Sequence, residues 1–382
     1  MLASLGSTGC APEPGPPASA EMGEPLPGLT PDERRRFQTG RALFARIFTP
    51  EEGLGPRFNE NSCSACHTVP VDGGTGETAV TKATRHTGTD RCDLLTPEGG
   101  ENIRIQVTPE AREAGATPSP APEEAEHRAR FTIPFTFGLG LMDAVPLATL
   151  EALADPEDLD GDGISGRVGA NRTGRPARFG RKADVASLAD FVDGALRLEM
   201  GLTTPAFPDE SMAGAVPPVP PGVDPAPEPE VDPASFQALV DFLRFLAPPE
   251  PTTPTDDPEV IRGRRLFDTL GCTGCHVPEL RAGDHESSAI AGRSIALFSD
   301  LLLHDLGPGL AGTCGPGAST EEYRTEPLMG LRYREAYLHD GRAGRVRDAI
   351  LQHGGEATAA RAAFAGLDRV AQEAVLRYLN TI

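Results

Sequence analysis

Two copies of one five-residue pattern, Cys-x-x-Cys-His, constrain the fold of this 382-residue chain more than any other feature. One copy runs from Cys63 to His67 and the other from Cys272 to His276. Two thiols three positions apart can each add to a vinyl group at the edge of one haem, and the adjoining imidazole then ligates the iron. The sequence therefore predicts two covalently bound haem c groups, held by Cys63, Cys66, His67, Cys272, Cys275 and His276.

Other uses of this pattern fit the chain less well. A structural zinc site needs four converging ligands, and two Cys2His clusters would share one zinc only with ligands left over. A thioredoxin-like motif needs a βαβ setting, which the sequence does not show. Haem also supplies a large apolar body to a chain that has no Trp and only 5% aromatic residues. Because haem of this kind is attached outside the bacterial cytoplasm, the motif also predicts export.

The segments before the two motifs repeat one helical plan. Thr30–Glu33 and Asp257–Glu259 each place a capping residue before a proline, and Glu33 completes a capping box. Each start leads through the sequence Gly-Arg-x-Leu-Phe, at Gly40 and at Gly263, to its Cys-x-x-Cys-His motif. The chain therefore reads as two divergent copies of one unit.

This repeat predicts the fold class: mainly α, with two cytochrome c-like haem domains in tandem. The 43 Gly and 38 Pro residues predict long irregular loops between the helices. Amphipathic segments at 236–246 and 371–379 close the two halves with apolar residues at helical spacing. We expect an N-terminal haem domain with insertions at 30–249, a linker at 250–257 and a C-terminal haem domain at 258–382.

The N-terminal segment, 1–29, reads as a signal remnant or a disordered tether. Small residues run into Cys10 as they do at the end of a bacterial lipoprotein signal, but the apolar stretch is too short for a complete signal. Two interpretations stay open: a lipid on Cys10 that would be the only link to a membrane, and an incidental cysteine in a tail. We expect a periplasmic protein or a lipoprotein anchored in the outer membrane.

The net charge of −21 narrows the choice of partners. Nucleic acid and an anionic membrane surface would both repel such a chain. A redox donor protein that is basic or neutral, such as a small cytochrome or a cupredoxin, fits better, although the charge also serves solubility alone. Of the remaining cysteines, Cys92 and Cys314 can form a disulfide in an oxidising compartment, and separate thiols are the alternative.

Six further histidines compete for the other sides of the two haems: His86, His127, His285, His304, His339 and His353. The stretch from Val346 to Gln352 predicts a short helix with His353 at its end, before two glycines. This histidine can be a helix cap, or it can present Nε2 to an iron. His86 lies in a segment rich in Gly and Thr that predicts a loop, where a ligand role is one option among several.

An acidic loop offers a second kind of metal site. Asp158, Asp160 and Asp162 alternate along the chain, and Gly163 takes the sixth position, as in the first half of a calcium loop. The twelfth position is Gly169 rather than the Glu of an EF-hand. The loop predicts either a Ca²⁺ site or an acidic turn without an ion.

Beyond the two haem motifs, several segments resemble those of the bacterial di-haem oxidoreductases, distant relatives of the di-haem cytochrome c peroxidases and of the di-haem enzyme of methylamine utilisation. The resemblance covers the chain from about Thr30 to its end. The matching segments are 53–63, 137–146, 160–166, 178–182, 299–309 and 339–356.

This resemblance implies ligands for the second haem. In the peroxidase relatives the sixth ligand, a Met, lies fourteen residues after the His of a His-x-Gly motif, and counting from His339 places His353 there. The resemblance therefore implies ligation by His276 and His353, with Met329 and His339 in reserve. A His in place of Met lowers the reduction potential of that haem. The relatives also place a Trp between the haems, which this chain lacks.

The family resemblance implies a peroxidase-like enzyme. A donor would reduce the C-terminal haem, and H2O2 would be reduced at the N-terminal haem, on the side away from His67. O–O cleavage needs an acid–base group, for which Asp143 is the candidate, with a structural cap as its alternative role. The alternative function is a non-catalytic periplasmic electron-transfer cytochrome. Oxidative modification of another protein is a third, which the missing Trp weakens.

Overall fold

The computed structural model of the chain describes residues 21–87, 91–210, 214, 223–252, 254 and 256–382. Cys10 and residues 1–20 of the predicted tether lie outside these residues. Within the described part, no helix combines the length and the apolar composition that crossing a membrane requires.

The helices of the described residues are mostly short, and the longest lie near the ends of the two halves. They are α1 Pro31–Ala45, α2 Cys63–Cys66, α3 Pro109–Glu113, α4 Leu139–Asp143, α5 Leu147–Leu153, α6 Leu188–Ala195, α7 Pro233–Phe245, α8 Pro258–Thr269, α9 Val346–Gln352, α10 Thr358–Gly366 and α11 Arg369–Leu379. A π-helical turn, Leu196–Met200, continues α6. Short 3-10 turns are Pro50–Glu52, Cys272–Gly274, Pro308–Leu310, Leu331–Tyr333 and Gly355–Ala357.

The strands form one three-stranded sheet and four two-stranded pairs, all antiparallel. They are β1 Arg57–Phe58, β2 Ala79–Thr87, β3 Arg91–Asp93, β4 Gln106–Val107, β5 His127–Thr132, β6 Gly169–Ala170, β7 Pro176–Ala177, β8 Leu280–Arg281, β9 Ser294–Ile295, β10 Leu303–Asp305 and β11 Glu322–Arg324. The order in the larger sheet is β3-β2-β5, and the pairs are β1–β4, β6–β7, β8–β9 and β10–β11.

The helix starts agree with the sequence prediction. Thr30 caps α1, accepting a hydrogen bond from the Glu33 backbone N–H at 3.3 Å while its own N–H donates to the Glu33 carboxylate at 2.7 Å. Asp257 caps α8, accepting from the N–H groups of Glu259 and Val260. These side chains satisfy donors that the first turn of a helix leaves unpaired.

The two halves share one helix crossing. α1 packs on α7, and α8 packs on α11. A Cβ atom on Gly40 would lie 1.9 Å from the carbonyl oxygen of Ala238, and one on Gly263 would lie 1.9 Å from that of Ala374. Each glycine therefore lets two helix backbones meet at the same position of its repeat, which accounts for the shared Gly-Arg-x-Leu-Phe.

The largest hydrophobic core surrounds the first crossing and extends into the second half of the chain. Phe37, Phe44 and Phe242 are buried at the α1–α7 contact, with ring centroids about 5 Å apart. Leu297 and Leu301, from the second half, belong to the same core. A smaller core holds the α8–α11 pair.

The three-stranded sheet is absent from the sequence prediction. β2 spans nine residues and pairs with β5 from Ala79↔Thr132 to Thr84↔His127. His86 therefore lies in a strand, and its assignment to a loop was wrong.

Candidate functional site: two histidine-lined cavities

The first Cys-x-x-Cys-His motif is a single helical turn, α2. Ser62 caps it by accepting a hydrogen bond from the Ala65 N–H at 3.1 Å, and His67 follows at the C-terminal end. His67 Nδ1 lies 3.0 Å from the carbonyl oxygen of Gly74, so Nδ1 is the protonated nitrogen and Nε2 carries the lone pair. Burial lowers the pKa of His67, which keeps the ring neutral, as a metal ligand must be.

The second motif has the same local design on a 3-10 turn. His276 Nδ1 lies 2.9 Å from the carbonyl oxygen of Phe298, and burial lowers the pKa of His276 to about 4. Burial also raises the pKa of Cys63 to about 12 and that of Cys272 to about 11. These thiols are not activated thiolates, which argues against the thiol-redox reading of the motif.

A cavity of about 280 Å³ opens beside His67. Alternate residues of β2 line it from one side, and four Phe side chains are among the other lining residues. The lining includes Val80, Lys82, Thr84, Phe131, Phe135, Phe179, Phe191, Met142, Met329 and Glu199. A cavity with many apolar side chains and several charged groups in its lining can hold a cofactor that is itself largely apolar and carries charged groups.

A second cavity, of about 380 Å³, opens beside His276. Cys272 and Cys275 line it together with His276, and His353 lines it from the end of α9. His353 Nδ1 lies 2.8 Å from the carbonyl oxygen of Ala349, which again leaves the lone pair on Nε2. Burial lowers the pKa of His353. The structure therefore brings His276 and His353 to one cavity, both as neutral imidazoles.

His304 lines the second cavity but has the wrong charge for a ligand. Nδ1 lies 2.7 Å from a Glu356 carboxylate oxygen and Nε2 lies 2.8 Å from one of Asp300, so both nitrogens donate. Burial would lower the pKa of His304, but the two carboxylates outweigh it and raise the pKa to about 12. A ring protonated on both nitrogens cannot bind a metal.

The other predicted ligands occupy distinct positions. His339 lines the second cavity, stacked on Tyr323 with centroids 4.3 Å apart and with Nε2 3.3 Å from its hydroxyl. Met329, a reserve ligand for the second haem, lines the first cavity instead. His86 and His127 lie near each other at the end of the three-stranded sheet.

A cluster of charged residues, Arg181, Arg324, Arg334 and Glu326, lines both cavities. The Glu326 carboxylate forms an ion pair with Arg181 at 2.8 Å and accepts hydrogen bonds from Arg324 at 3.1 Å and from Arg334 at 3.2 Å. The three Arg side chains are 7–14% exposed. Three guanidinium groups and one carboxylate give this wall a net charge of +2. Because the wall is poorly solvated, anionic groups bound in the cavities would stabilise it.

Glu199 is a functional candidate that the sequence analysis missed. It lies in the π-helical turn after α6 and lines the first cavity. Its carboxylate accepts hydrogen bonds from the side-chain amides of Asn59, at 2.8 Å, and Asn102. Burial raises the pKa of Glu199 in spite of these bonds. The local sequence, Leu196-Arg-Leu-Glu-Met200, carries no signal that singles out Glu199.

Asp143 lies at the end of α4, outside the lining of both cavities. Its carboxylate accepts a hydrogen bond from the Leu188 N–H at 3.2 Å, at the start of α6. Burial raises the pKa of Asp143. This contact corresponds to the capping role that the sequence left as the alternative.

The carboxylates that lie together in the acidic loop differ from the three that the sequence predicted as Ca²⁺ ligands. Carboxylate oxygens of Asp155, Asp158 and Asp160 lie within 4.8 Å of one another, whereas Asp162 accepts from the Ile164 N–H at 2.8 Å. Asp158 and Asp160 also accept backbone N–H bonds. Calcium binding stays a prediction.

A disulfide joins Cys92 on β3 to Cys314, with Cα atoms 5.7 Å apart. It connects the two halves of the chain, 222 residues apart in sequence. Cys314 also lines the first cavity. The sequence left open a disulfide or two separate thiols, and the structure shows the disulfide.

These features define a protein with two cofactor cavities, each lined by the histidine of one Cys-x-x-Cys-His motif. Residues 122–382 match the family described as "Di-haem oxidoreductase, putative peroxidase". The chain belongs to this family, which confirms the resemblance seen in the sequence motifs. No curated protein matches the chain.

Several solved structures are similar at low sequence identity. Hydrazine synthase from Kuenenia stuttgartiensis is 15% identical, with 100% of this chain and 99% of that chain covered and a TM-score of 0.44. The diheme peroxidase BthA from Burkholderia thailandensis is 16% identical, with coverage of 91% and 85% and a TM-score of 0.36. A MauG-like protein associated with microbial copper homeostasis is 14% identical, with coverage of 69% and 89% and a TM-score of 0.31. Structural similarity at these TM-scores gives no information about the ligands or the activity of this chain.

The family implies two haem groups, and the described residues fit them. The first cavity has one neutral imidazole whose Nε2 carries the lone pair, that of His67, and the second has two, those of His276 and His353. The charge excess in the wall between the cavities suits the carboxylates that a haem carries.

Proposed function

We propose that this chain is a di-haem c-type cytochrome oxidoreductase with peroxidase-like activity. Electrons from a donor protein arrive at the C-terminal haem, and H2O2 takes up two electrons and two protons at the N-terminal haem to give two molecules of water. The observation that carries this proposal is the contrast between the cavities. Among the described residues, His276 and His353 both line the second cavity as neutral imidazoles, whereas the first cavity has only His67.

The architecture that goes with this function is a tandem of haem domains at 30–249 and 258–382, joined by the linker at 250–257. Cys63 and Cys66 would attach one haem, and Cys272 and Cys275 the other. Bound haem supplies an iron that exchanges single electrons and, where one face is open, binds peroxide. The repeated helix crossing at Gly40 and Gly263 supports the tandem plan.

The arginine side chains between the cavities would hold the haem carboxylates. Arg324 and Arg334 line both cavities, so carboxylates from either side can share them. Such pairing would offset the cost of burying three guanidinium groups beside the single carboxylate of Glu326. It would also bring the two haem edges to one polar wall in a chain that has no Trp for electron transfer.

Glu199 is the acid–base group that the first cavity offers. Burial raises the pKa of Glu199, which favours the protonated form that a proton donor needs, and the amides of Asn59 and Asn102 fix its orientation. Asp143, the candidate from the sequence, lies outside the cavity lining, and its catalytic role stays a prediction that the same assay tests.

The Cys92–Cys314 disulfide supports export to an oxidising compartment such as the periplasm. A lipid on Cys10 and a cytochrome or cupredoxin donor remain parts of the proposal that sequence alone supports.

A non-catalytic electron-transfer cytochrome is the second candidate. The observation that favours it is the presence of two thioethers, Met142 and Met329, in the lining of the first cavity. Either could ligate the iron of the first haem and leave no site for peroxide, because Met is a common haem ligand in electron-transfer cytochromes.

The test uses the full chain matured in a host competent for cytochrome c assembly. Covalently added mass for two haems is expected, with both lost when Cys63, Cys66, Cys272 and Cys275 are all replaced by Ser. Electron paramagnetic resonance of the oxidised protein should show one high-spin and one low-spin haem, with turnover of H2O2. Two low-spin haems without turnover would establish the carrier, and a colourless protein would overturn both.

A further inference from the structure

Two histidines and a glutamate converge at one end of the three-stranded sheet, outside both cavities. Thr84 on β2 pairs with His127 on β5, and His86 lies two residues further along β2. His86 and His127 are therefore diagonal neighbours on one face of the sheet, at a spacing that their side chains can bridge. Their rings lie 5.0 Å apart, nearly perpendicular to each other.

Glu126 completes this group. Its carboxylate accepts the backbone N–H of His86 at 3.0 Å, which holds it beside the two rings. One ligand atom from each of His86, Glu126 and His127 lies within 4.8 Å of the others. Both histidines are half-buried and Glu126 is exposed, so an ion in solution can reach the group.

We propose that His86, Glu126 and His127 bind one divalent transition-metal ion, Zn²⁺ or Cu²⁺. Two imidazoles and one carboxylate form a ligand set that such ions prefer, with water in the remaining positions. Metal–ligand bonds of about 2.1 Å need the three atoms somewhat closer together than 4.8 Å, a change that side-chain rotation supplies. An edge-to-face contact between the rings explains their spacing but gives no reason for the third ligand.

A bound ion would act on the wall of the first cavity. Val80, Lys82 and Thr84 line that cavity from alternate positions of β2, and His86 is the next residue on the same face. His86 also pairs with Cys92 of the disulfide. The ion would thus link β2 to β5 just beyond the cavity and stabilise this sheet by binding only its folded form.

The test is zinc binding by the full, untagged holoprotein after treatment with a chelator. Equilibrium dialysis against micromolar Zn²⁺, with zinc and iron measured in the same samples, should give one zinc per chain. His86→Ala and His127→Ala should each weaken binding by at least about 10-fold. Glu126→Gln keeps an oxygen that can accept the His86 N–H, and it should weaken binding while leaving the fold intact.

His285→Ala is the matched control, because His285 is another half-buried histidine and lies outside the group. It should bind zinc as the wild type does. With Cu²⁺ in place of Zn²⁺, electron paramagnetic resonance should show hyperfine coupling to two nitrogens in the wild type and to one in either His variant. Absence of zinc from the wild type, or unchanged binding in a protein lacking both His86 and His127, would overturn the proposal. Iron content reports the haems separately, so failure here leaves the proposed function standing.

Discussion

The imidazole Nδ1 of His353 lies 2.8 Å from the carbonyl oxygen of Ala349, one turn earlier at the end of α9. This bond fixes the ring with the lone pair of Nε2 available, in a cavity that His276 also lines. The same pairing of Nδ1 with a backbone carbonyl occurs at His67 and His276. Three histidines are thereby prepared as neutral ligands, one for the first cavity and two for the second.

Replacement of His353 by Ala should remove one low-spin signal from the electron paramagnetic resonance spectrum of the oxidised protein, because the second iron loses its sixth ligand. His339→Ala is the matched control and should leave the signal in place, since its Nε2 contacts the Tyr323 hydroxyl. An unchanged spectrum for His353→Ala, or loss of the signal in the control, would discard this ligand assignment.

Replacement of Glu199 by Gln should slow H2O2 turnover by about 100-fold or more, because a positioned proton donor typically contributes that much. The variant keeps one of the two side-chain oxygens that accept from Asn59 and Asn102, and the Asn59 backbone N–H still donates to the Glu199 carbonyl oxygen, so the turn should persist. Asp143→Asn should keep turnover within a few-fold of wild type, because Asp143 contacts the Leu188 N–H rather than the cavity. The reverse ranking of the two variants would restore Asp143 as the acid–base group.

The free energy of unfolding should fall at low pH, because Glu326 becomes protonated there. Burial would raise the pKa of Glu326, but Arg181, Arg324 and Arg334 outweigh it and hold the pKa at about 2, against an ordinary 4.5. Because the folded-state pKa is depressed, ionisation favours folding. This contribution is complete above about pH 4.5 and is lost as the pH falls towards 2.

Glu326→Gln should therefore lower the free energy of unfolding by about 2 kcal/mol at pH 7, since it leaves three guanidinium groups without their carboxylate. Its stability should also change less than that of the wild type between pH 4.5 and pH 2. Denaturant unfolding across this range measures both effects. Parallel pH curves for the two proteins would show that this carboxylate does not contribute to folding.

Replacement of Gly40 or Gly263 by Ala should destabilise the fold by about 2 kcal/mol or more, because the added Cβ would meet a backbone carbonyl. Gly366→Ala, at the end of α10, is the control, since a Cβ there has no neighbour within 4 Å. It should leave stability unchanged or raise it by up to about 1 kcal/mol. Equal effects at all three positions, measured by thermal unfolding, would contradict a shared close crossing.

Local signals predicted the helices that open and close each half, and the helix before His353, but not the other short helices. The capping residues gave the starts of α1 and α8, and the stretch before His353 gave α9 with its bounds. The family followed from short segments that keep their residues in fixed order. In each case the residues that determine the structure lie within a few positions of one another, so they can be recognised from the sequence alone.

Features built from distant segments escaped prediction. β2 shows no alternation of apolar and polar residues, because one of its faces lines a cavity through Lys82 and Thr84 as well as Val80. The Arg–Glu wall joins Arg181 to residues more than 140 positions later, which no local pattern shows. Glu199 was hidden for the same reason, since only the fold reveals that it faces the first cavity.

The disulfide between Cys92 and Cys314 joins the two halves covalently, independently of the proposed linker at 250–257. A protease that cuts the linker would yield two polypeptides that still migrate together until a reductant is added. After such a cut the disulfide would still hold the two halves together, and with them the Arg–Glu wall that lines both cavities.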